Sequence, residues 1–353
     1  MQIRDILTTV VSVPVRYPIR SAVRQADRVI NVLVEVRTDE GPSGVAYVAG
    51  FTPQKAAAVV AMVADLADVL RGGDATQVGA AWDRMWAAAT LSGHNGIAMF
   101  ALSAIDTALW DLQGKLLAAP LHRLLGTRRT TVAAYASDGC WLHDDPATVA
   151  AEAADFAAGG FRAVKIRLGR RDPGGDLATI AAVRRAVGDT VEVMTDVNQG
   201  WGRERARALG RRLTAWDVAW LEEPLAALKG ELATPITAGE NAYGADGIRA
   251  LLEAGAVSTI MPDLQRIGGV TGWIAVNALA EAWRVPITSH LFPEVSAHLL
   301  AASRLIGPLE FVTWAAPLLE EPLVARDGAV AVPERPGLGI AFDRAAVEHY
   351  RVG

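Results

Sequence analysis

The sequence predicts an α/β protein in which an α+β cap is followed by a closed barrel of parallel βα units. Three observations support this: residues 1–50 alternate with the period of strands, residues 54–125 have the period of helices, and short apolar strands alternate with helices from about residue 130 onwards. Eight such units close a barrel. A doubly wound open sheet is the weaker alternative, because no Gly-x-Gly-x-x-Gly motif follows the first of these strands.

The predicted cap comprises residues 1–125. Its strands are found in IRDILTTVVSVPV and in VINVLVEVRTDEGPSG, whose glycines and proline mark a turn before VAYVAG. Its helices have apolar residues at i, i+3 and i+4 and are found in QKAAAVVAMVADLADVL, VGAAWDRMWAAATL and MFALSAIDTALWDLQGKLL. A group of strands followed by a group of helices is typical of an α+β unit.

The predicted barrel comprises residues 126–320. Its strand candidates are residues 131–137, 163–168, 191–198, 218–223, 236–240, 258–263, 285–290 and 309–313. Helical patterns such as ATIAAVRRAVG, GIRALLEAG and VTGWIAVNALAEAW lie between them. Residues 321–353 do not follow this alternation, and their prolines and glycines predict an extended segment that returns to the cap.

Composition excludes several classes of protein. A net charge of −5 gives no reason to expect nucleic acid or an anionic membrane as a partner. Cys140 is the single cysteine, so no intrachain disulfide is possible, as is usual in a reducing cytoplasm. Arg4 and Asp5 interrupt what would be the apolar run of a signal peptide, and no apolar run of about 18 residues is present. We therefore expect a soluble, cytoplasmic protein.

Acidic residues or histidine stand at the ends of six consecutive predicted strands. One acidic residue after a strand is most often a helix cap or a turn former. Capping preferences do not explain such a residue at every strand, and carboxylates gathered at the mouth of a barrel would repel one another unless a cation lay among them. The residues are Asp196, Glu222, Glu240, Asp263, His290 and Glu310, with Glu223 and Asn198 beside them.

This set favours a divalent cation with an acid–base pair. Three carboxylates from adjacent strands suit a hard ion that keeps positions open for substrate, such as Mg²⁺. The chain has no His-x-His or His-Glu-x-x-His motif, which disfavours a zinc hydrolase. Asp263 and His290 suit an orienting carboxylate and an imidazole base, although a lone histidine is more often a satisfied core residue. The other histidines and Cys140 are expected to play no part in the chemistry.

The motifs resemble those of the enolase superfamily, mandelate racemase subgroup, over nearly the whole chain. They are ALSAIDTALWDLQGK in the cap and GFRAVKIRLG, TDVNQGW, WLEEP, GEN, MPDLQRIGGVTGW and SHLFPEVSAHLLAA in the barrel. The resemblance implies a modified TIM barrel, (β/α)7β, with an α+β N-terminal capping domain. It also implies Mg²⁺-dependent removal of the proton α to a carboxylate, through an enediolate, from a small carboxylate substrate. Relatives of this kind are commonly homo-oligomers, either dimers or octamers.

The resemblance further implies roles for individual residues. Asp196, Glu222 and Glu240 match the three Mg²⁺ ligands, whereas Glu223 is expected to pair with the barrel wall. His290, backed by Asp263, matches the acid–base. The remaining matches are Glu310 as a protonated carboxyl that donates to the substrate carboxylate, Lys165 as the first lysine of the family's Lys-x-Lys strand, and Asn198 and Ser137 as substrate contacts.

Arg167 departs from the family pattern, because it stands where the second lysine acts as the base on the face opposite the histidine. A guanidinium essentially never deprotonates in proteins, so Arg167 is expected to be a clamp on a substrate carboxylate or hydroxyl. The alternative is that Arg167 is a base whose pKa is lowered by the adjacent Lys165. One-base chemistry remains, and it suits dehydration of an acid sugar or related hydroxy acid to a 2-keto acid. A racemase or epimerase of a 2-hydroxy acid is the alternative, and a catalytically inactive binding protein is the third.

The predicted lid, residues 16–30, favours a polar substrate. It contains Arg16, Arg20, Arg24 and Arg28, where an aryl substrate would call for apolar side chains. Arg24 is therefore expected to contact substrate. Arginines that simply face solvent are the ordinary explanation for such a group.

Overall fold

The computed structural model describes residues 1–22, 24–223, 228 and 230–352. The proline of WLEEP and Val23 of the predicted lid lie outside these ranges. The chain begins with an antiparallel sheet in which β1 (Ile3–Arg20) pairs with β2 (Gln25–Thr38), and β2 with β3 (Gly44–Ala49). Four helices follow: α1 (Pro53–Leu70), α2 (Val78–Ala88), α3 (Ile97–Leu116) and α4 (Leu121–Leu124).

The barrel is an α/β fold with a closed parallel sheet, as the alternation of strands and helices predicts. Its strands are β4 (Thr131–Ala136), β5 (Ala163–Arg167), β6 (Glu192–Asp196), β7 (Val218–Glu222), β8 (Ile236–Ala238), β9 (Thr259–Ile260) and β10 (Leu309–Phe311). Consecutive strands pair in parallel from β4 to β9, and β10 pairs with β4. The C-terminal ends of the strands therefore share one mouth.

Helices surround the strands. They are α5 (Pro146–Ala158), α6 (Pro173–Val187), α7 (Arg203–Leu213), α8 (Gly244–Glu253), α9 (Leu264–Ile267), α10 (Gly269–Trp283) and α11 (Pro293–Ala302). Asp145 and Asp172 cap α5 and α6, each with a proline at the first helical position, where its missing N–H costs nothing. Within the part of the chain that the structure describes, no helix is long and apolar enough to cross a membrane.

The predicted seventh strand, residues 285–290, does not form a regular strand. The segment makes single bridges instead, from Ile287 to Ile260 and to Ile306, and from His290 to Asp263. Pro286 lacks the N–H that a regular ladder would require at its position. The bridges join this segment to β9 and to Ile306, just before β10, and the Glu310 N–H donates to the Ser289 hydroxyl at 3.2 Å, so the barrel closes through it and His290 reaches the mouth.

An apolar plug fills the barrel below the mouth. It consists of Tyr135, Ala163, Met194 and Trp220 on β4 to β7, together with Met261 directly after β9. The rings of Tyr135 and Trp220 meet edge to face, with centroids 5.4 Å apart. The plug closes the lower end of the barrel, so polar side chains one layer above it stand on an apolar floor.

The C-terminal segment first pairs with the barrel and then contacts the cap. β11 (Ala325–Arg326) and β12 (Ala329–Ala331) form a hairpin whose second strand pairs antiparallel with β4. The Leu338 N–H then donates to Asp111 on α3. After α12 (Arg344–Tyr350), Val352 donates to the carbonyl of Val10 in β1.

Helix α3 joins the cap to the barrel through buried polar contacts. Asp106 accepts hydrogen bonds from the N–H and the hydroxyl of Thr271, in the first turn of α10. Gly269 allows this approach, because a Cβ there would lie 2.5 Å from Asp106 Oδ2 and its φ is +77°. Ser103 donates to the carbonyl of Leu264 at 2.8 Å. These contacts fix the cap over the barrel mouth.

His298 is buried in the neutral form. Its Nδ1 accepts the His122 N–H at 3.3 Å, and its Nε2 lies 3.1 Å from the Leu338 carbonyl, so one ring nitrogen is an acceptor and the other a donor. Burial lowers the pKa of His298 to about 3. Below pH ~6.5 the unfolded chain binds a proton here that the folded chain does not bind until about pH 3. The contribution of His298 to stability is therefore lost as the pH falls through this window.

Replacing His298 with Gln should remove this dependence on pH. We expect the unfolding free energy of wild type, relative to His298→Gln, to fall by about 2–3 kcal/mol between pH 7.5 and 4.5, measured by urea unfolding. His349→Gln, on an exposed face of α12, is the matched control and should keep the wild-type slope. Parallel curves for wild type and His298→Gln would contradict the assignment.

Candidate active site

Strand β5 brings the two cations of AVKIRLG into the barrel interior. Val164, Ile166 and Leu168 are buried in the main core that β5 shares with the surrounding helices. Because alternate residues of a strand face opposite sides, Lys165 and Arg167 both face the interior. Both are buried, and they have different partners.

Lys165 lies between two carboxylates. Its ammonium is 3.1 Å from both oxygens of Glu222 and 2.7 Å from Oε1 of Glu310. All three side chains are at most 2% exposed. Burial lowers the pKa of Lys165, but Glu222 and Glu310 outweigh it, so the pKa lies well above its usual value. Lys165 is therefore a fixed positive charge.

Glu310 accepts three hydrogen bonds. Oε1 receives the Ser137 hydroxyl at 2.6 Å as well as Lys165, and Oε2 receives the Leu291 N–H at 2.7 Å. Burial raises the pKa of Glu310, but Lys165, His290 and these donors outweigh it and bring the pKa below its usual value. The expectation of a protonated Glu310 is not met in this arrangement, because every neighbour donates to the carboxylate.

His290 lies between two carboxylates at the mouth. Nδ1 is 2.6 Å from Asp263 Oδ2, and Nε2 is 3.1 Å from Glu240 Oε2. Burial lowers the pKa of His290, but Glu240, Asp263 and Glu310 outweigh it and raise the pKa to about 9. The largest of the raising effects is the charge of Glu240, which lies on Nε2, so the protonation of His290 depends on where the Glu240 carboxylate is held. Asp263 is itself fixed by the backbone N–H groups of Gln265 and Arg266.

Carboxylates from neighbouring strands line the opposite side of the mouth. Asp196 and Glu222 pair in register at the ends of β6 and β7. Asp196 is fixed by Asn198, whose N–H and side-chain amide donate to its two oxygens at 2.7 and 2.8 Å. Burial raises the pKa of Glu222 well above its usual value, and the charges of Asp196 and Glu240 raise it further. Lys165 lowers that pKa but does not outweigh these effects.

The predicted metal ligands do not surround a common point as they stand. Within residues 1–22, 24–223, 228 and 230–352, no three acidic, histidine or cysteine side chains are close enough to form a metal centre. Glu222 faces Lys165, and Glu240 faces His290. Glu223 lies in the wall, where Gln199, Asn241 and the Gly239 N–H donate to it, as the sequence led us to expect.

Arg167 binds protein atoms rather than open space. Nη1 donates to the carbonyls of Ser137 and Gly139 at 2.7 and 3.1 Å, and Nη2 donates to the Ser137 hydroxyl at 2.8 Å. The guanidinium carbon lies 4.1 Å from the ring centroid of Trp141. The expectation that Arg167 clamps a substrate is therefore not met in this arrangement: both Nη groups donate to protein atoms, and Nε is buried with no hydrogen-bond partner among the described residues.

Two family models match the chain. Residues 3–126 match the mandelate racemase / muconate lactonizing enzyme N-terminal domain, and residues 148–346 match the enolase C-terminal domain-like family. The chain belongs to the mandelate racemase family of the enolase superfamily. The resemblance inferred from the strand-end motifs is confirmed, and so is the fold that it implies.

Relatives of this mandelate racemase family member include enzymes and metal-bound structures. It is 33% identical over 327 residues to the L-talarate/galactarate dehydratase of Salmonella typhimurium, covering 89% of this chain and 81% of the relative. An enolase from alpha proteobacterium BAL199, solved with bound Mg²⁺, has a TM-score of 0.96 at 34% identity, with 99% of each chain covered. An enolase from Bradyrhizobium, complexed with magnesium and mandelic acid, has a TM-score of 0.93 at 33% identity, covering 100% of this chain and 99% of that one.

The cap arginines of this family member bind the protein itself. Arg24 donates to the Phe51 carbonyl at 3.2 Å and lies over the Phe51 ring. Arg20 pairs with Asp27, and Arg28 donates to Ser12. The expected substrate contact from Arg24 is replaced here by a link between the two cap loops on either side of β2 and β3. Ser137 likewise donates to Glu310 and not into the mouth.

Sequence reasoning missed Trp141 and Arg266. Trp141 covers Arg167, and Arg266 pairs with Asp263 at 3.0 Å. The spacing of three residues between Asp263 and Arg266, at the start of a short helix, is a signal that would have found the second pair. Trp141 lies in the irregular segment after β4, where no periodicity identifies it.

Proposed function

We propose that this enzyme removes the proton α to the carboxylate of an acid sugar or related hydroxy acid and dehydrates the substrate to a 2-keto acid, with Mg²⁺ as cofactor. The family membership supports α-proton chemistry, and the dehydratase relative supports the substrate class. The arrangement of Lys165, His290 and the acidic strand ends supplies the groups that such a reaction requires.

The state of Arg167 is the observation that favours dehydration. Racemisation needs a second base on the face of the substrate opposite His290. The residue at that position, Arg167, is a buried guanidinium that donates to two backbone carbonyls and a hydroxyl. A base must be able to lose its proton, and a guanidinium with carbonyl acceptors on it is the least suited to do so. One base, His290, therefore acts on C2.

The donor set fits Mg²⁺. Asp196, Glu222 and Glu240 offer carboxylate oxygens from the ends of adjacent strands, which are the ligands a hard divalent ion takes. We assign these three residues to hold the ion. When bound, it would act as a Lewis acid that stabilises negative charge on the substrate carboxylate.

Each side chain of the site has a separate role in the proposed reaction. Asp263 holds Nδ1 of His290, and with Glu240 assigned to the ion, Nε2 is left to take the proton from C2. Lys165, charged and buried, stabilises the enediolate, and Glu310 fixes Lys165 from the other side. The His290 imidazolium then protonates the β-hydroxyl, which leaves as water as the C3–O bond breaks and the C2–C3 double bond forms. The resulting enol tautomerises to the 2-keto acid.

A racemase or epimerase of a 2-hydroxy acid is the second candidate. The structure that favours it is the Bradyrhizobium relative in complex with mandelic acid, which is a 2-hydroxy acid. It requires a second base that Arg167 does not provide. A catalytically inactive binding protein is the third candidate, and the buried carboxylates weigh against it, because without a cation they would destabilise the fold.

A panel of acid sugars tests the proposal. Purified enzyme with Mg²⁺ should convert at least one aldonate or aldarate to a 2-keto acid, and an excess of EDTA should stop the conversion. Formation of the C2 epimer without keto acid would favour the second candidate. No reaction with any member, together with no effect of Mg²⁺ on stability, would favour the third.

Addition of Mg²⁺ should raise the thermal midpoint of unfolding. At one hundred times the dissociation constant, a ligand stabilises the folded state by about 2.7 kcal/mol, which corresponds to a shift of a few degrees in a chain of this size. Glu222→Gln should remove most of the shift. Glu223→Gln, which changes the neighbouring carboxylate bound to the wall, should keep it. Equal responses from both variants would contradict the assignment of Glu222.

We also propose that residues 1–125, 126–320 and 321–353 act as capping domain, barrel and returning segment, and that the enzyme is a cytoplasmic homo-oligomer, a dimer or an octamer. The single cysteine, which allows no intrachain disulfide, supports a reducing compartment. Light scattering of the purified protein, at several concentrations, distinguishes a monomer from either assembly.

A further inference from the structure

A chain of contacts links Arg167 to Lys165 through two other side chains. Arg167 donates to Ser137, Ser137 donates to Glu310, and Glu310 accepts from Lys165. We propose that Arg167 is a positioning residue, which acts through the Ser137 hydroxyl to hold Glu310 and hence the ammonium of Lys165 in place. The inference rests on the proposed function for its kinetic consequences, and its geometry stands on the contacts alone.

The segment after β4 is shaped to receive a guanidinium. Gly139 and Cys140 both have positive φ, at +65° and +51°, which turns the chain so that the Ser137 and Gly139 carbonyls both meet Arg167. Glu152 on α5 accepts the Cys140 N–H at 2.5 Å and fixes this turn. Glycine adopts the left-handed backbone at position 139 without strain, and a Cβ there would lie 2.8 Å from Glu152 Oε2.

The direction of the Ser137 hydroxyl proton follows from its neighbours. The hydroxyl oxygen accepts Arg167 Nη2 at 2.8 Å, so its own proton cannot point towards Arg167. Glu310 Oε1, at 2.6 Å, receives that proton. Arg167 thereby fixes a hydroxyl that would otherwise rotate, and the fixed hydroxyl holds one oxygen of Glu310.

Glu310 transmits this order to Lys165. The oxygen that accepts from Ser137 is also the one 2.7 Å from the Lys165 ammonium, and the other oxygen is fixed by the Leu291 N–H. With the Glu310 carboxylate held at both ends, Lys165 has one position between it and Glu222. Side chains that stabilise developing charge must be held by such supporting contacts to be effective.

The same geometry explains why this position holds an arginine. The guanidinium donates from one nitrogen to two carbonyls and from the other to a hydroxyl, while its face stacks on Trp141. A lysine ammonium has its three donors at one point and no planar face, so it cannot stack on Trp141 while donating from two separated nitrogens as the guanidinium does. The departure from the family's second lysine thus has a structural use.

The test compares Arg167→Met, Arg167→Lys, Ser137→Ala and the double variant Arg167→Met/Ser137→Ala. We expect each single variant to lower kcat about 10- to 100-fold with KM changed less than about 3-fold, the size expected from losing one hydrogen bond to a charged group. The double variant should lie within about 3-fold of the slower single variant, because both changes remove the same connection. Losses that multiply in the double variant would overturn the proposal.

Two controls separate positioning from general stability. Arg129 also donates to backbone carbonyls, those of Leu300 and Ser303, at the opposite end of β4, and Ser303 is a buried serine that accepts from Trp273. Arg129→Met and Ser303→Ala should lower the thermal midpoint and leave kcat unchanged. If Arg167→Met does not fold, Arg167→Lys retains the charge and should show the same fall in kcat.

A measurement that needs no substrate tests the positioning role of Arg167 independently of the proposed function. In crystal structures of Arg167→Lys and Ser137→Ala, we expect the Glu310 carboxylate to turn and its contact with Lys165 to lengthen. Unchanged Glu310 and Lys165 positions in both variants would overturn the proposal. An enzyme that turns over no acid sugar, but whose variants show this displacement, would refute the proposed function alone.

Discussion

His290→Asn is expected to lower kcat by about 10³-fold or more, because it removes the group that takes the C2 proton. General acid–base catalysis by one side chain contributes about 10²- to 10⁴-fold, and here the same imidazole also protonates the leaving hydroxyl. Asparagine retains an amide that can donate to Asp263, so the local fold should persist. The measurement is the rate of 2-keto acid formation under saturating substrate and Mg²⁺.

His349→Asn is the control for this change, since it removes an exposed histidine far along the chain on α12. Its kcat should equal that of wild type. Substrate binding by His290→Asn should persist, because the carboxylates and Lys165 remain in place. A kcat of His290→Asn within a few-fold of the wild-type value would contradict the role of His290 as the group that takes the C2 proton.

Lys165→Met is expected to lower the free energy of unfolding by about 3–5 kcal/mol, and to reduce kcat by at least about 10²-fold. The stability loss arises because Glu222 and Glu310, each at most 2% exposed, lose their shared cation. The loss of activity arises because the enediolate loses a fixed positive charge. Urea unfolding without Mg²⁺ measures the first effect, and steady-state kinetics the second.

Neutralising the carboxylates that Lys165→Met leaves unpaired should restore the free energy of unfolding but not the activity. The triple variant Lys165→Met/Glu222→Gln/Glu310→Gln leaves no unpaired carboxylate among these three, so it should regain most of the lost unfolding free energy. Lys115→Met is the matched control. Lys115 pairs with buried Asp111 at 2.6 Å, but Asp111 keeps two backbone N–H donors, so the loss should be smaller. Equal losses for Lys115→Met and Lys165→Met would contradict this explanation.

The positions of the site residues follow from the sequence because strand geometry is periodic. A residue at i+2 must share a face with residue i, so Lys165 and Arg167 had to enter the barrel together. Acidic residues at the ends of parallel strands had to meet at one mouth, which places Asp196 beside Glu222. These arguments need the backbone only, and the structure agrees with them.

The partners of those residues did not follow from the sequence. The contact between Arg167 and Ser137 depends on the left-handed turn at Gly139 and Cys140, which no periodic pattern encodes. Glu310 was expected to be protonated. In the structure its carboxylate accepts hydrogen bonds from Ser137 and Lys165, which are distant in the chain, so the contacts that favour its charged form could not be read from the local sequence. Similarly, the Arg24 side chain is held by a contact with the Phe51 carbonyl in another loop, and no regular spacing in the sequence predicts that contact.

Solvent isotope exchange at C2 tests the central claim, one-base removal of the α-proton followed by dehydration. The enzyme and Mg²⁺ are incubated with its acid-sugar substrate in D₂O, and product and recovered substrate are examined by NMR. We expect 2-keto acid to form, and any deuterium at C2 of recovered substrate to be present with the original configuration. Deuterium at C2 with inverted configuration and no keto acid would contradict the account, since it requires a second base on the Arg167 face.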